Sequence, residues 1–158
     1  MKTLVVYFSY TGNTRMIAKL IQSKLNCDIL ELKPVIPYSN DYQTVVDEEQ
    51  RLEGSNHLLE IQDVNVNLDV YDKIIIGTPV WWYKESPVVR TFLTYNDLSS
   101  KLVIPFATNA GWLGKTFGEI KKLCPNSEVK DEMNIVFESY SDKLITKMED
   151  INNWIDKL

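Results

Sequence analysis

Three short, continuous apolar runs constrain the fold of this chain more than any other feature of its sequence. They cover residues 4–8, 73–77 and 102–107, and each is bounded by Gly, Asn, Ser or Thr. None of them alternates with polar residues, which is typical of strands that are buried on both faces of a parallel sheet. The sequence therefore predicts a sheet that is covered by helices on its two sides.

Helical periodicity fills the intervals between these runs. Apolar residues recur at three- and four-residue spacing within residues 16–25, 42–52, 88–93, 113–124 and 144–158. Two weaker strand candidates lie at residues 28–32 and 133–137, and the first alternates as an edge strand does. Five strands alternating with about five helices require crossover connections. We therefore expect a three-layer α/β sandwich in one domain over residues 1–158.

The charge distribution excludes several classes of protein. The chain has a formal charge of −5, and residues 41–72 hold nine acidic residues against one arginine, Arg51. A nucleic-acid partner needs basic stripes and is not expected. The acidic segment is either a docking face for a partner protein or a solvated surface, and the sequence leaves both interpretations open.

Apolar runs and cysteines set expectations about location. No apolar run approaches the roughly 20 residues that span a bilayer, so no membrane association is expected. The first residues do not match a signal peptide. Cys27 and Cys124 have no metal-ligand spacing and form no disulfide framework. A reduced, cytoplasmic compartment is the expectation.

The residues that follow the first strand are the strongest candidates for a site, because ligands of open α/β sheets bind beyond the carboxyl ends of the strands. Residues 9–14 read Ser-Tyr-Thr-Gly-Asn-Thr and lead directly into a helix. Hydroxyl groups, an amide and a glycine at a helix N-terminus favour an anion site, although an ordinary capped helix start has the same composition. A nucleoside-triphosphate loop is not indicated, since no lysine follows the glycine.

Aromatic residues dominate the next two connections. Residues 78–83 read Thr-Pro-Val-Trp-Trp-Tyr, and three consecutive aromatic side chains cannot all enter one core. At least one should face solvent or a planar ligand. Residues 108–114 combine small residues with Trp112, which permits a close approach of the backbone to a ligand.

These motifs resemble the flavodoxin family. Residues 9–14 resemble its phosphate loop, and the Thr-Pro-Val-Trp-Trp stretch with the following Ser-Pro resembles a flavodoxin-like branch of small bacterial flavoproteins. The resemblance extends over essentially the whole chain. It implies a flavodoxin-like three-layer sandwich, a five-stranded parallel sheet of order 2-1-3-4-5, and flavin mononucleotide (FMN) as the cofactor.

The resemblance also implies which residues contact FMN, with the phosphate at the first loop, the ring along the second and its pyrimidine end at the third. The phosphate would be held by Ser9, Thr11, Asn13 and Thr14, with backbone groups around Tyr10 and Gly12. The ring would be bordered by Thr78, Pro79, Val80, Trp81, Trp82 and Tyr83. The pyrimidine end of the ring would be bordered by Thr108, Asn109, Ala110 and Gly111. No catalytic residue and no metal ligand is expected. Tyr38 and Tyr42 follow the second strand and are not included in this set. Arg15 could equally contact the phosphate or point into water. His57 is expected at the surface.

Function follows from the cofactor that the resemblance implies. The favoured hypothesis is an electron carrier, monomeric or weakly dimeric, that shuttles low-potential electrons between a reductase and an acceptor enzyme. The first alternative is an FMN-dependent NAD(P)H:quinone-type oxidoreductase, which needs a substrate pocket over the ring. The second is a flavin-free interaction module on the same fold.

Overall fold

A parallel sheet with helices on both faces organises the computed structural model, which describes residues 1–52 and 57–158. The strands are β1 (Thr3–Tyr7), β2 (Asp28–Glu31), β3 (Lys73–Trp81), β4 (Lys84–Glu85), β5 (Leu102–Asn109), β6 (Glu128–Val129) and β7 (Met133–Val136). The helices are α1 (Asn13–Leu25), α2 (Tyr42–Leu52), α3 (Pro87–Tyr95), α4 (Thr116–Leu123) and α5 (Met148–Ile155), with a short 3-10 helix at Leu68–Val70.

The order of the strands confirms the predicted topology. β1 pairs in parallel with both β2 and β3, β3 pairs in parallel with β5, and β6 and β7 both pair in parallel with β5. The sheet therefore runs β2-β1-β3-β5, with β6 and β7 sharing the last position. The alternating strand 28–32 of the sequence does lie at an edge, as predicted.

Two apolar clusters, one on each face of the sheet, explain why the strands are continuously hydrophobic. Along β1, Leu4 and Val6 pack into the cluster that contains Val89 and Phe92 of α3. The alternate residues, such as Val5, pack on the opposite face among side chains of α1 and α5. Successive side chains of a strand point to opposite faces, so both halves of each run are buried.

The sheet has seven strands rather than the predicted five for two reasons. β3 continues past its buried part and turns back into β4, which pairs with it antiparallel. The last strand position is broken between β6 and β7, where Asp131 has a φ of 56°. The indole Nε1 of Trp154 donates to the carbonyl oxygen of Asp131 at 2.6 Å and holds this break.

The last helix is shorter than the periodicity of residues 144–158 predicts. Leu144 forms an isolated bridge with Phe137, and the N–H of Glu138 donates to the carbonyl oxygen of Lys143 at 2.8 Å. Residues 137–147 therefore fold back on themselves beyond β7, and α5 begins only at Met148. This fold-back carries Tyr140, with a φ of 55°, to the carboxyl edge of the sheet.

Within the described ranges, every helix is too short or too polar to cross a bilayer.

Candidate functional site

A cleft of about 520 Å³ lies at the carboxyl edge of the sheet, where the sequence places all its candidate residues. Its walls come from the segment after β1, the end of β3, the segment that spans the end of β5 and the start of the next loop, and residues 137–142. Nine of the predicted site residues line it, namely Tyr10, Thr11, Asn13, Pro79, Val80, Trp81, Thr108, Asn109 and Ala110.

The loop at residues 9–14 is shaped from within by Ser9. Its Oγ accepts hydrogen bonds from the backbone N–H of Gly12 at 3.1 Å and of Arg15 at 3.2 Å. Gly12 has a φ of 106°, which a residue with a side chain rarely adopts. Ser9 and Gly12 thus fix the backbone conformation of the loop and do not line the cleft.

The N-terminus of α1 is left open to a ligand. Its N-cap residue, Gly12, has no side chain that could cap it, and the Oγ of Ser9 takes only the N–H of Arg15 in the first turn, whereas Ser86 caps α3 by accepting from the N–H of Val89 at 3.3 Å. The first-turn N–H groups of Asn13 and Thr14 have no acceptor within the helix. A Cβ built on Gly12 would meet no heavy atom within 4 Å, so free space lies beside the loop. Free donors, space and the helix dipole together favour an anion here.

Two hydrogen bonds tie this loop to the other walls of the cleft. The amide of Asn13 donates to the carbonyl oxygen of Ser141 at 2.9 Å. The hydroxyl groups of Thr14 and Thr108 lie 2.7 Å apart, and both residues are buried. The segment after β1, the end of β5 and the segment after β7 are therefore held in one arrangement.

Arg15, for which the sequence leaves phosphate and water open, is half-exposed and pairs with an acidic residue. Its guanidinium contacts the carboxylate of Glu31 on β2, and Arg15 is not among the residues that line the cleft. An anion at this loop would therefore meet backbone N–H groups and hydroxyls.

Trp81 forms the aromatic wall of the cleft and is fixed from several sides. Its ring lies edge-on to the rings of Phe8, Tyr10 and Tyr38, at centroid distances of 5.7, 5.9 and 5.0 Å. The hydroxyl of Tyr10 donates to the carbonyl oxygen of Ser39 at 2.5 Å and anchors that ring. A planar ligand in the cleft would meet aromatic surface that is already in place.

Trp82 and Tyr83 form a two-residue hairpin turn between β3 and β4, where the sequence predicted one loop over residues 78–83. Both residues adopt left-handed backbone angles, with φ of 52° and 66°. Such a type I′ turn usually carries Asn and Gly, because side chains are disfavoured there. The N–H of Lys115 donates to the carbonyl oxygen of Tyr83 at 2.8 Å and supports the turn. Tyr83 and Trp112 stand edge to face at 6.3 Å.

Two more predicted residues, Thr78 and Asn109, form side-chain hydrogen bonds to backbone groups near the cleft. The buried hydroxyl of Thr78 accepts from the N–H of Ser86 at 3.0 Å and donates to the carbonyl oxygen of Pro79 at 2.8 Å. The side-chain oxygen of Asn109 accepts from the N–H groups of Gly111 and Trp112, at 2.9 and 3.0 Å. Both interactions hold the end of a strand in position beside the cleft.

Sequence reasoning missed part of the lining. Tyr42, Trp112 and residues 137–142 line the cleft but are not part of the predicted set. Tyr42 and Tyr140 meet edge to face at 5.4 Å across the rim. The available signal was Tyr140 itself, an aromatic residue in a polar run just after the last strand.

A buried carboxyl group lies beside the cleft, on the inner face of α2. Glu49 is only 7% exposed, and burial raises its pKa. His57, expected at the surface, is half-buried: its Nε2 lies in a small cavity that Glu49 also lines. Of the acidic residues of segment 41–72, Asp47 and Glu48 are exposed, whereas Glu53 lies outside the described residues.

A family model described as Flavodoxin matches residues 2–158. A search of the curated proteins found no match.

Solved structures share the fold over most of the chain. A protein from Bacteroides uniformis ATCC 8492 is 27% identical, with a TM-score of 0.80 and coverage of 98% of this chain and 97% of its own. A flavoprotein in complex with FMN from Lactobacillus acidophilus NCFM is 26% identical, with a TM-score of 0.72 and coverage of 84% and 91%. Oxidised Flavodoxin 2 from Bacillus cereus is 20% identical, with a TM-score of 0.59 and coverage of 99% and 94%, and shows the same fold.

Proposed function

Because the chain belongs to the flavodoxin family, we propose that it is an FMN-binding electron-transfer protein that carries low-potential electrons between a reductase and an acceptor enzyme. The observation that carries this proposal is one cleft whose lining combines the loop at the N-terminus of α1 with a fixed aromatic wall. Such a cleft suits a ligand with a terminal phosphate and a planar ring. We place the protein in the cytoplasm because Cys27 and Cys124 are free thiols.

The residues of the cleft fit FMN. Residues 9–14 contain no acidic side chain, so nothing in the loop repels a phosphate. The N–H groups of Asn13 and Thr14 and the hydroxyl of Thr11 would hold it, at the edge where the loop has free space. Trp81 would lie along the ring, and Thr108 and Asn109 would border its pyrimidine end. A flavoprotein of the same fold from Lactobacillus acidophilus binds FMN.

The flavin supplies the redox chemistry when it is bound, since its ring accepts one or two electrons. The protein determines the free energy of adding negative charge to that ring. Among the described residues that line the cleft, Glu138 and Asp142 are carboxylates and none is cationic. Negative groups around the ring disfavour a further negative charge, which lowers the reduction potential.

One assay distinguishes an electron carrier from an NAD(P)H-dependent oxidoreductase. The FMN-loaded protein is mixed with NADH or NADPH and a quinone, and oxidation of the nicotinamide is followed by its absorbance. We expect negligible turnover until a flavodoxin reductase is added, because the cleft belongs to a carrier that receives electrons from a protein. Rapid turnover by the isolated protein would contradict the carrier proposal.

That outcome would favour the second candidate, an FMN-dependent NAD(P)H:quinone-type oxidoreductase. The observation in its favour is a cavity of about 270 Å³ that adjoins the cleft and shares Tyr10, Val80 and Trp81 with it, which enlarges the space around a bound flavin. The proposal of a flavin-free interaction module has no such support, since the anion loop and the aromatic wall are both in place.

The exposed acidic residues of α2 are expected to attract a basic partner protein. Asp47 and Glu48 lie on the exposed side of the helix whose first residue, Tyr42, lines the cleft. Changing them to Asn and Gln should lower the association rate with a basic reductase several-fold at low salt, because steering between opposite charges accelerates encounter. Stopped-flow electron transfer at several salt concentrations measures this, and the rate of the variant should depend less on salt.

A matched variant separates local steering from overall charge. Asp69→Asn with Glu128→Gln removes the same two charges next to the amino ends of β3 and β6, at the opposite edge of the sheet. This control should retain most of the association rate. Equal losses in the two variants would show that α2 is no docking face and only contributes to net charge.

A further inference from the structure

A cluster of buried titratable side chains lies behind the aromatic wall of the cleft. The small cavity at its centre is bounded by the rings of Trp81 and Trp82. Five titratable residues complete its lining, namely Glu49, His57, Lys84, Glu85 and Arg90. Trp81 lines both this cavity and the cleft, so the cluster lies behind the wall along which we place the flavin. The contacts proposed for FMN use none of these titratable groups.

Glu85 and Arg90 form a buried ion pair within the cluster. The Nε of Arg90 donates to the carboxylate of Glu85 at 2.8 Å, and its Nη2 donates to the carbonyl oxygen of Glu85 at 3.4 Å. The two side chains are only 13% and 2% exposed. The guanidinium therefore neutralises Glu85 directly, whereas Glu49 receives a weaker attraction from it.

Glu49 is the member of the cluster on which opposing influences act. Burial has the largest effect and raises its pKa, because a carboxylate is poorly solvated there. The charge of Glu48 acts in the same direction, whereas His57, the buried hydroxyl of Tyr38 and Arg90 favour the carboxylate. Glu49 therefore holds a proton at a higher pH than an exposed glutamate does. On its other side, the titratable neighbours among the described residues are phenols, namely Tyr10, Tyr42 and Tyr83.

Reduction of a flavin in the cleft would change this balance. Electrons that enter the ring without an equal number of protons bring negative charge to the other side of Trp81. Charges act on one another strongly in a buried setting, and dissolved salt screens them less than at the surface. The added negative charge would therefore raise the pKa of Glu49 further.

We propose that Glu49 is a proton site that is coupled to reduction of the flavin. Its carboxylate takes up one proton from solvent when an electron donor reduces the flavin, and it releases that proton when the electrons leave. The O–H bond of the carboxyl group is the only bond of the protein that forms and breaks. Glu49 also lines the cavity of about 270 Å³ that adjoins the cleft, which gives a proton a route from solvent. The coupling rests on the proposed FMN cleft, whereas the buried acid is a property of the protein alone.

The reduction potential of the FMN-loaded protein, measured over a range of pH with native protein and Glu49→Gln, tests this coupling. The glutamine is neutral at every pH, so the two potentials should agree at acid pH, where Glu49 is protonated in both redox states. At alkaline pH the native potential should be the lower one, by the equivalent of at least about fivefold in electron affinity, because coupling between two sites is reciprocal. No difference at any pH, or the same difference at every pH, would overturn the proposal.

Two further variants separate this coupling from general effects of charge and folding. Glu48→Gln removes the exposed carboxyl next to Glu49 and should keep the native pH profile. Tyr38→Phe removes a hydroxyl that favours the carboxylate of Glu49, and it keeps the test decisive if Glu49→Gln does not fold. This variant should raise the pKa of Glu49 and shift the pH-dependent interval of the potential upward. An unshifted interval in Tyr38→Phe, or loss of the profile in Glu48→Gln, would overturn the proposal.

Carboxyl-carbon NMR of the flavin-free protein reports on Glu49 without any redox step. We expect its resonance, identified by its loss in Glu49→Gln, to titrate above the usual glutamate value of about 4.3. An ordinary titration in a protein that binds FMN would overturn the inference and leave the proposed function intact. Failure to take up FMN, measured by flavin absorbance, would instead contradict the proposed function, and the NMR titration would still show whether Glu49 is a buried acid.

Discussion

Replacing Gly12 with valine is expected to weaken FMN binding by about 100-fold, because the loop would lose contacts to the phosphate that are each worth about 1.5–3 kcal/mol. Gly12 has a φ of 106°, where a β-branched residue is strongly disfavoured. No heavy atom lies within 4 Å of a Cβ at this position, so the backbone rather than a clash limits the substitution. The fold should survive with a loss of about 1–2 kcal/mol.

Flavin fluorescence quenching measures the affinity of this variant, and thermal unfolding measures its stability. Gly118→Val is the matched control, since Gly118 lies in α4, has an ordinary φ and also has free space around it. The control should bind FMN as the native protein does. Native affinity in Gly12→Val would show that the conformation of this loop does not matter for the flavin.

Replacing Gly114 with alanine is expected to lower the free energy of unfolding by about 2–4 kcal/mol, because two penalties add at this position. Gly114 has a φ of 55°, and a Cβ would lie 2.4 Å from the Cβ of Tyr83 and 2.5 Å from its carbonyl oxygen. The alanine must displace the Trp82–Tyr83 turn, which is itself in a left-handed conformation. The aromatic wall would move with it, so FMN affinity should fall as well.

Urea unfolding and a flavin titration of the same sample test this coupling. Gly118→Ala is the control and should be as stable as the native protein or more so, since alanine favours a helix by about 1 kcal/mol over glycine. Native stability in Gly114→Ala would contradict the close contact between the turn and the loop after β5. A loss of stability with unchanged FMN affinity would contradict the proposed position of the aromatic wall.

The sequence was sufficient where one physical signal dominates. β1, β3 and β5 are buried on both faces, so their apolar runs predict strands and a parallel order directly. The Ser86-Pro87 pair predicts the start of α3 because a capping hydroxyl and a fixed φ suit that position. The loop at residues 9–14 was found because parallel strands bring their carboxyl ends to one edge.

Other features depend on tertiary contacts that leave a weak trace in the sequence. The Trp82–Tyr83 turn lacks the Asn-Gly signal of its type and is held by the loop after β5. Residues 144–147 have an apolar spacing that suits a helix, yet the bridge between Phe137 and Leu144 prevails. Glu49 reads as one more charge of an acidic helix, and only its spacing from Val45 indicates the inner face.

The affinity of the apoprotein for FMN compared with riboflavin tests the central proposal most directly. The two ligands share the ring and the ribityl chain and differ only in the phosphate, which we place at the loop of residues 9–14. Equilibrium titration by flavin fluorescence should give an FMN affinity at least about 100-fold higher, as expected for the loss of several hydrogen bonds to a charged group. Equal affinities for FMN and riboflavin would contradict the assignment of this loop as the phosphate site.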